Sequence, residues 1–356
     1  MSGPFVQRGE PALLPPDVRA AMALAAGADL VLELPAAFAV RDAEHFALGG
    51  VSILSRLGVV DTLCFGCEAA ELAPLQRAAE VAEHAPQALA EAMRPLLNAG
   101  QSCAAAQGRA LAALTQSDPA LFSAPNNLLA LCYLRAMLRL NAPLTPLPIQ
   151  RGGDYHATLP DAAQPSATAL RTLLLRGESV APYVPTAALP PLEKAMREGR
   201  FCLPHALDQA LLFCLRDMTK AQLAALPDCT EGLHNRLHTA CRTQTTRLAL
   251  LEALKTKRYA YARLSRLLAH ALLGMTAEEL VDCPVPPYAR LLGMNKLGEA
   301  LLSQVDQQRL PIIAKPAQAA AFPPCAIWDE HAYDLWSLGA GWPAGRWHTQ
   351  QIVKAQ

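Results

Sequence analysis

The order of apolar segments in the first 150 residues constrains this chain most. Residues 29–35, Asp-Leu-Val-Leu-Glu-Leu-Pro, form an apolar run of strand length after Gly27. A helix-length stretch follows from Ala43 to Leu57, and residues 59–65 are a second apolar run ending at Gly66. Residues 69–97 read as helix, with breaks allowed at Pro74 and Pro86. Residues 107–114 and 126–140 are further helices, and 144–149 reads as a third strand in spite of its prolines. Apolar strands alternating with helices imply a parallel sheet covered by helices. From about residue 190 the pattern is almost wholly helical, over 189–198, 205–215, 220–226, 232–241, 245–254 and 260–273. Residues 310–356 return to mixed, turn-rich sequence. The expected organisation is an α/β domain over 1–187 and a mainly helical region over 188–356.

Composition excludes several classes. Aromatic residues are only 5% of the chain while Ala and Leu dominate, which favours helix. No apolar run approaches the roughly 18 residues of a membrane span, and Met1-Ser-Gly-Pro-Phe5 lacks the basic and apolar regions of a secretory signal. The ten cysteines are scattered and read as reduced thiols of a cytosolic protein. Net charge is zero but unevenly placed. Residues 1–150 hold nine Arg, no Lys and thirteen carboxylates. Residues 233–270 hold Arg236, Arg242, Arg247, Lys255, Lys257, Arg258, Arg263 and Arg266 against the single anion Glu252. Such asymmetry points to a polyanionic partner.

Several short segments carry possible chemistry. Residues 3–12 set Gln7, Arg8 and Glu10 among glycines and prolines, either a ligand loop at a strand end or a surface turn. Cys64-Phe-Gly-Cys67 is a lone C-x-x-C without a second pair at zinc spacing. Gly66 instead permits close approach of a ligand to the strand end, with Glu68 facing the crevice. Pro125-Asn126-Asn127 opens a helix, where one Asn is explained as an N-cap and the second is not. Arg151 follows a strand and precedes Gly152-Gly153, suiting a phosphate contact or a solvated loop. Ser166-Ala-Thr168-Ala-Leu-Arg171 gathers two hydroxyls, helix N–H groups and a guanidinium, a set that converges on a triphosphate. Tyr259, Arg263 and Arg266 are spaced for one helical face, which suits an RNA backbone and unstacked bases or a solvated basic face.

Taken in order, these segments resemble the bacterial tRNA(Met) cytidine acetate ligases. The likeness runs through Met1-Ser-Gly with residues 5–12, the 29–35 run, Phe65-Gly-x-Glu68, Pro125-Asn-Asn-x-Leu129, Ile149-x-Arg151 and Ser166 to Arg171. It continues through Glu231-Gly-Leu-x-Asn-Arg236, Lys257-Arg258-Tyr259 with Arg263-Leu-x-Arg266, and Leu291-Leu-Gly-Met-Asn-Lys296. The resemblance implies a Rossmann-like nucleotidyltransferase domain followed by a helical tRNA-binding region. It implies that acetate attacks the α-phosphate of ATP, with Mg2+, and that N4 of the wobble cytidine of elongator tRNA(Met) takes the acetyl group. Carried over, Gly66, Asn126, Arg151, Ser166, Thr168 and Arg171 look like ATP contacts. Arg236, Lys257, Arg258, Tyr259, Arg263, Arg266 and Lys296 look like tRNA contacts. No protein-made metal site is expected.

The family pattern also contains a first strand and an H-x-G-H loop. No His-x-Gly-His occurs among the nine histidines, and Met1-Ser-Gly matches an internal part of the pattern. The expectation is a chain started late, whose sheet lacks its first strand, a unit of about 30 residues, and whose catalytic residues are unknown. Two other readings stay open: a small-molecule nucleotidyltransferase, and an inactive RNA-binding relative.

Overall fold

The computed structural model describes residues 1–69, 71–150, 165–256 and 259–355. The described strands are β1 (Phe5–Val6), β2 (Glu10–Pro11), β3 (Leu30–Glu33), β4 (Thr62–Cys67), β5 (Thr145–Gln150), β6 (Ala289–Met294), β7 (Ile312–Ile313) and β8 (Val353–Lys354). The chain forms two compact units, one of Ala43–Val184 and one of Met1–Asp42 with Pro185–Gln356. Residues 1–42 thus join the C-terminal half in one unit, which differs from the division at 187 that the pattern suggests.

In the Ala43–Val184 unit, β4 and β5 pair in parallel as their apolar runs imply, with Gly66 opposite Ile149 and Cys67 opposite Gln150. Pro74 and Pro86 start helices Ala73–His84 and Pro86–Asn98 instead of breaking one long helix. A missing N–H costs nothing in the first turn, where it has no intrahelical partner. The core is Val51, Phe65, Leu75, Leu111 and Leu134, all buried. An ion-pair cluster ties the helix starting at Ala43 to two others. Arg135 reaches Glu83 at 2.7 Å and Glu44 at 3.2 Å, and Arg139 reaches both carboxylates at 2.9 Å.

In the other unit, β3 departs from expectation. It pairs antiparallel with β6, not with β4 or β5. β6 also pairs in parallel with β7 and β8. The pattern hides β6 because Arg290 stands in an otherwise apolar run. Its guanidinium is nevertheless buried, 3.9 Å from the Trp347 ring centroid and 4.7 Å from that of Tyr333. The supposedly turn-rich tail contains the 15-residue helix Cys325–Gly339, which buries Trp328, Tyr333 and Trp336. Helices Asp208–Asp217, Leu233–Thr243, Arg247–Leu254 and Tyr261–Leu273 share a leucine-rich core.

Residues 3–12 are a β1–β2 hairpin. Gly9 adopts φ +70° at its tip, and a Cβ there would lie 2.5 Å from backbone atoms of Ser265 and Arg266. The tip therefore seats against the Tyr261–Leu273 helix, and Arg247 donates to the Gly9 carbonyl at 3.2 Å. Among the described residues no helix is long and apolar enough to cross a membrane.

Candidate functional site

Parallel pairing brings the carboxyl ends of β4 and β5 together, the place where such sheets bind ligands. Gly66 lies there. Arg151, the next candidate, is outside the described residues. Glu68 does not face an open crevice. Its carboxylate accepts from Asn126 N (3.2 Å), Asn126 Nδ2 (2.7 Å) and Asn127 N (2.8 Å). Asn127 reciprocates through Oδ1, which accepts from Glu68 N at 2.8 Å and Ala69 N at 2.9 Å. The Phe-Gly-x-Glu and Pro-Asn-Asn segments are thus one locked junction. Neither Asn is the N-cap, a position held by Ala124, because Glu68 caps the helix Pro125–Arg139 from the neighbouring strand end. A carboxylate at a helix N-terminus is favourable for both its hydrogen bonds and its charge. Asn127, only 3% exposed, is the residue that sequence reasoning missed; the doubled Asn was its signal.

The C-x-x-C segment makes neither a disulfide nor a metal site. Cys64 is exposed and Cys67 buried, both as free thiols. Burial pushes the Cys67 thiol up, away from the reactive thiolate. Among the described residues no group of three His, Cys, Asp or Glu side chains is placed to hold a metal.

Ser166 is the N-cap of helix Ala167–Leu175, its Oγ accepting from Ala169 N at 3.0 Å. Thr168 and Arg171 lie half-buried in the first turns of that helix.

The basic segment differs from its expected form. Tyr259 precedes the Tyr261–Leu273 helix and is 5% exposed, so it shares no helical face with Arg263 and Arg266. Its hydroxyl donates to the Glu231 carbonyl at 3.3 Å. Arg263 lies 5.3 Å over the Tyr259 ring and donates to the Asp228 carbonyl at 2.9 Å and to Thr230 Oγ1 at 2.6 Å. Arg266 is buried, 3.8 Å from the Asp228 carboxylate. Burial pulls its pKa down, which Asp228 opposes. Three candidates therefore brace the loop 228–231, where Asp228 and Glu231 hold positive φ of 65° and 56°. Arg236, Arg242 and Lys255 are exposed. Lys296 is exposed too, following Asn295, whose Oδ1 caps its helix through Gly298 N at 2.9 Å. Lys257 and Arg258 are outside the described residues.

Comparison with known proteins gives these arrangements a family. The family model described as HIGH Nucleotidyl Transferase matches residues 1–341. The tRNA(Met) cytidine acetate ligase of Acetivibrio thermocellus is 34% identical over 88% of this chain and 80% of its own length. That of Clostridium kluyveri is 34% identical over 88% and 81%. The chain belongs to the tRNA(Met) cytidine acetate ligase family. The crystal structure of apo Thermotoga maritima TmcAL superposes with TM-score 0.92 at 27% identity, covering 99% of this chain and 91% of that one. The same protein bound with alpha-thio ATP superposes at 0.90, with the same identity and coverage.

This ligase-family chain also contains a polar cluster that sequence reasoning did not find. Glu33, from the 29–35 run, is 1% exposed, accepts from Tyr333 OH at 2.8 Å and lies 4.0 Å from Arg290. Asp329, equally buried, accepts from Ala36 N and Tyr288 OH, both at 2.6 Å. Burial first, then the neighbouring Glu33, pushes the Asp329 carboxyl up to about 7. A carboxylate in the middle of an apolar strand was the available signal.

Proposed function

We propose that this chain condenses acetate with ATP and acetylates N4 of the wobble cytidine of elongator tRNA(Met). The observation that carries this reading is the correspondence of about nine-tenths of the chain with relatives named tRNA(Met) cytidine acetate ligase, together with its likeness to Thermotoga maritima TmcAL bound with alpha-thio ATP. The chemistry has two steps. An acetate oxygen bonds to the α-phosphorus and pyrophosphate leaves. The cytidine amine then attacks the acyl carbon, AMP leaves, and the amine gives up one proton.

Within the Ala43–Val184 unit, backbone at Gly66 lets the nucleotide approach, and the Asn126 amide, held by Glu68, fixes that approach. Arg151 and Arg171 balance phosphate charge, while Ser166 and Thr168 present a helix N-terminus to it. Mg2+ would come with the triphosphate of ATP and balance part of its charge. For the RNA, Arg236, Arg242, Lys255, Lys257, Arg258, Arg263 and Lys296 supply phosphate contacts. Tyr259 and Arg266 hold the 228–231 loop that aims Arg263. A tRNA substrate places the reaction in the cytoplasm.

Acetate-dependent exchange of labelled pyrophosphate into ATP, followed by mass spectrometry of tRNA(Met), tests the reading. Exchange and N4-acetylcytidine are expected, and Arg171→Ala should slow exchange by roughly 10²-fold. A chain that exchanges pyrophosphate with other carboxylic acids but never with acetate refutes the proposal.

A further inference from the structure

A cavity of about 410 Å³ opens beside Asp17, the second half of helix Cys325–Gly339, and the segment 342–353. That volume falls within the roughly 300–1,000 Å³ of small-molecule sites. Tyr333, Trp336 and Trp342 form part of its wall, beside Pro15 and Pro16. Trp336 and Trp342 meet edge to face, with centroids 5.4 Å apart at 67°. The polar hydrogens of Tyr333 and Trp336 are already engaged. The Tyr333 hydroxyl donates to Glu33 and Trp336 Nε1 donates to the Ala12 carbonyl at 2.7 Å. Both are therefore fixed apolar surfaces. Trp342 is half-buried and carries the exposed Arg346 guanidinium 4.4 Å from its ring centroid.

One lining residue carries an unpaired polar atom. Ser337 is fully buried, and its Oγ makes no hydrogen bond. A buried hydroxyl left unpaired is unfavourable; shielded as it stands, it would relieve that cost by turning to meet a ligand edge. Asp17 also lines the cavity, its charge balanced by an ion pair with Arg200. A carboxylate has about four acceptor sites, so that pair leaves capacity for a second donor.

We propose that this cavity receives one unstacked nucleobase of the RNA substrate, a proposal that rests on the tRNA-modifying reading above. The base lies among the aromatic rings, with Trp342 and Arg346 as its platform. Its edge meets the Ser337 hydroxyl and the Asp17 carboxylate. Arg346, at the rim, takes the adjoining phosphate. Single-stranded RNA is read in this way, by splaying bases onto aromatic and guanidinium planes. A carboxylate accepts from the exocyclic amine of cytosine, whereas uracil offers it only the ring N3–H between two carbonyl oxygens that repel it, so the cavity prefers an amino-bearing base. An aromatic peptide side chain would fill the ring-lined slot but leave Ser337 and Arg346 unengaged.

Tetracytidylate and tetrauridylate, titrated into the full chain and followed by tryptophan fluorescence, test this. Tetracytidylate should bind several-fold tighter. Trp342→Ala should weaken it about tenfold, and Trp342→Phe should restore most of the loss. Equal affinity of Trp342→Ala and the parent chain overturns the proposal, as does equal affinity for the two oligonucleotides. Where Trp342→Ala lowers the melting temperature, Ser337→Ala is read instead, since it removes a hydroxyl that no protein group engages. It should weaken tetracytidylate several-fold, and unchanged affinity overturns the proposal. Pyrophosphate exchange by the parent chain separates the two claims. Exchange without oligonucleotide binding removes the pocket, and oligonucleotide binding without exchange removes the proposed reaction.

Discussion

The two compact units use polar residues in opposite ways. In Ala43–Val184, Glu68, Asn126 and Asn127 satisfy one another at a strand end and hold backbone in place beside Gly66. In the other unit, charged residues turn inward. Arg247, Arg266 and Arg290 are each under 10% exposed and engage carboxylates or carbonyls of their own unit. A polar motif at a strand end here fixes backbone in place, whereas a cationic stretch of helices is partly structural. Eight cations in residues 233–270 overstate what faces a partner.

The largest test of this contrast is Asp329. Its carboxyl is pushed up to about 7 by burial and by Glu33, from an ordinary 3.8. Between pH 4 and 7 the native state thus binds more protons at this site than the unfolded chain. Stability from this group is fully present below about pH 4 and is lost as pH rises to about 7, by as much as about 4 kcal/mol. Asp329→Asn should remove that slope. The check is urea denaturation of both proteins across pH 4–8. Parallel curves would mean that Asp329 is ionised throughout and that the inward-turned charges are fully compensated.

The junction in the other unit should respond less. Glu68→Ala removes three hydrogen bonds to the start of helix Pro125–Arg139, two of them to backbone N–H groups. The expected loss is about 2 kcal/mol, with weaker ATP binding because the Asn126 amide is released. Calorimetric unfolding and ATP titration measure both. Weakened ATP binding at unchanged stability would make Glu68 a ligand contact, and the contrast between the units would narrow.

What the sequence made legible was local. Helix Ala43–Leu57, strand β5 and the Ser166 cap follow from periodicity, strand length and a single hydroxyl next to an apolar run. What it hid depends on partners far along the chain. Glu68 finds Asn126 58 residues away. β3 finds β6 more than 250 residues on, and Arg290 makes sense in that strand only once Trp347 and Tyr333 stack on it. Helix Cys325–Gly339 buries Asp329 and Ser337 among its aromatic residues, so it lacks the clean apolar stripe that betrays a core helix. Arg266 counted as an RNA contact for the same reason: a charge count does not include Asp228 across the loop.

The smallest effect divides exposed from buried cations most directly. Arg242 is exposed and donates within its own helix, to the His238 carbonyl one turn back at 2.7 Å and to Cys241 Sγ at 3.7 Å. Arg242→Ala should change stability by less than about 0.5 kcal/mol and lower the slope of log affinity for tRNA against log salt by about 1. Arg247 is buried between the Gly9 carbonyl and Ser265, with Glu10 at 3.5 Å. Arg247→Met should leave the salt slope where it is, because a guanidinium enclosed by its own unit releases no counterion from RNA. Tilting of both slopes would place Arg247 on the RNA surface and require the hairpin tip at Gly9 to open when tRNA binds. A change in the Arg242 slope alone would show that, of the cations in 233–270, only the exposed ones form the electrostatic footprint.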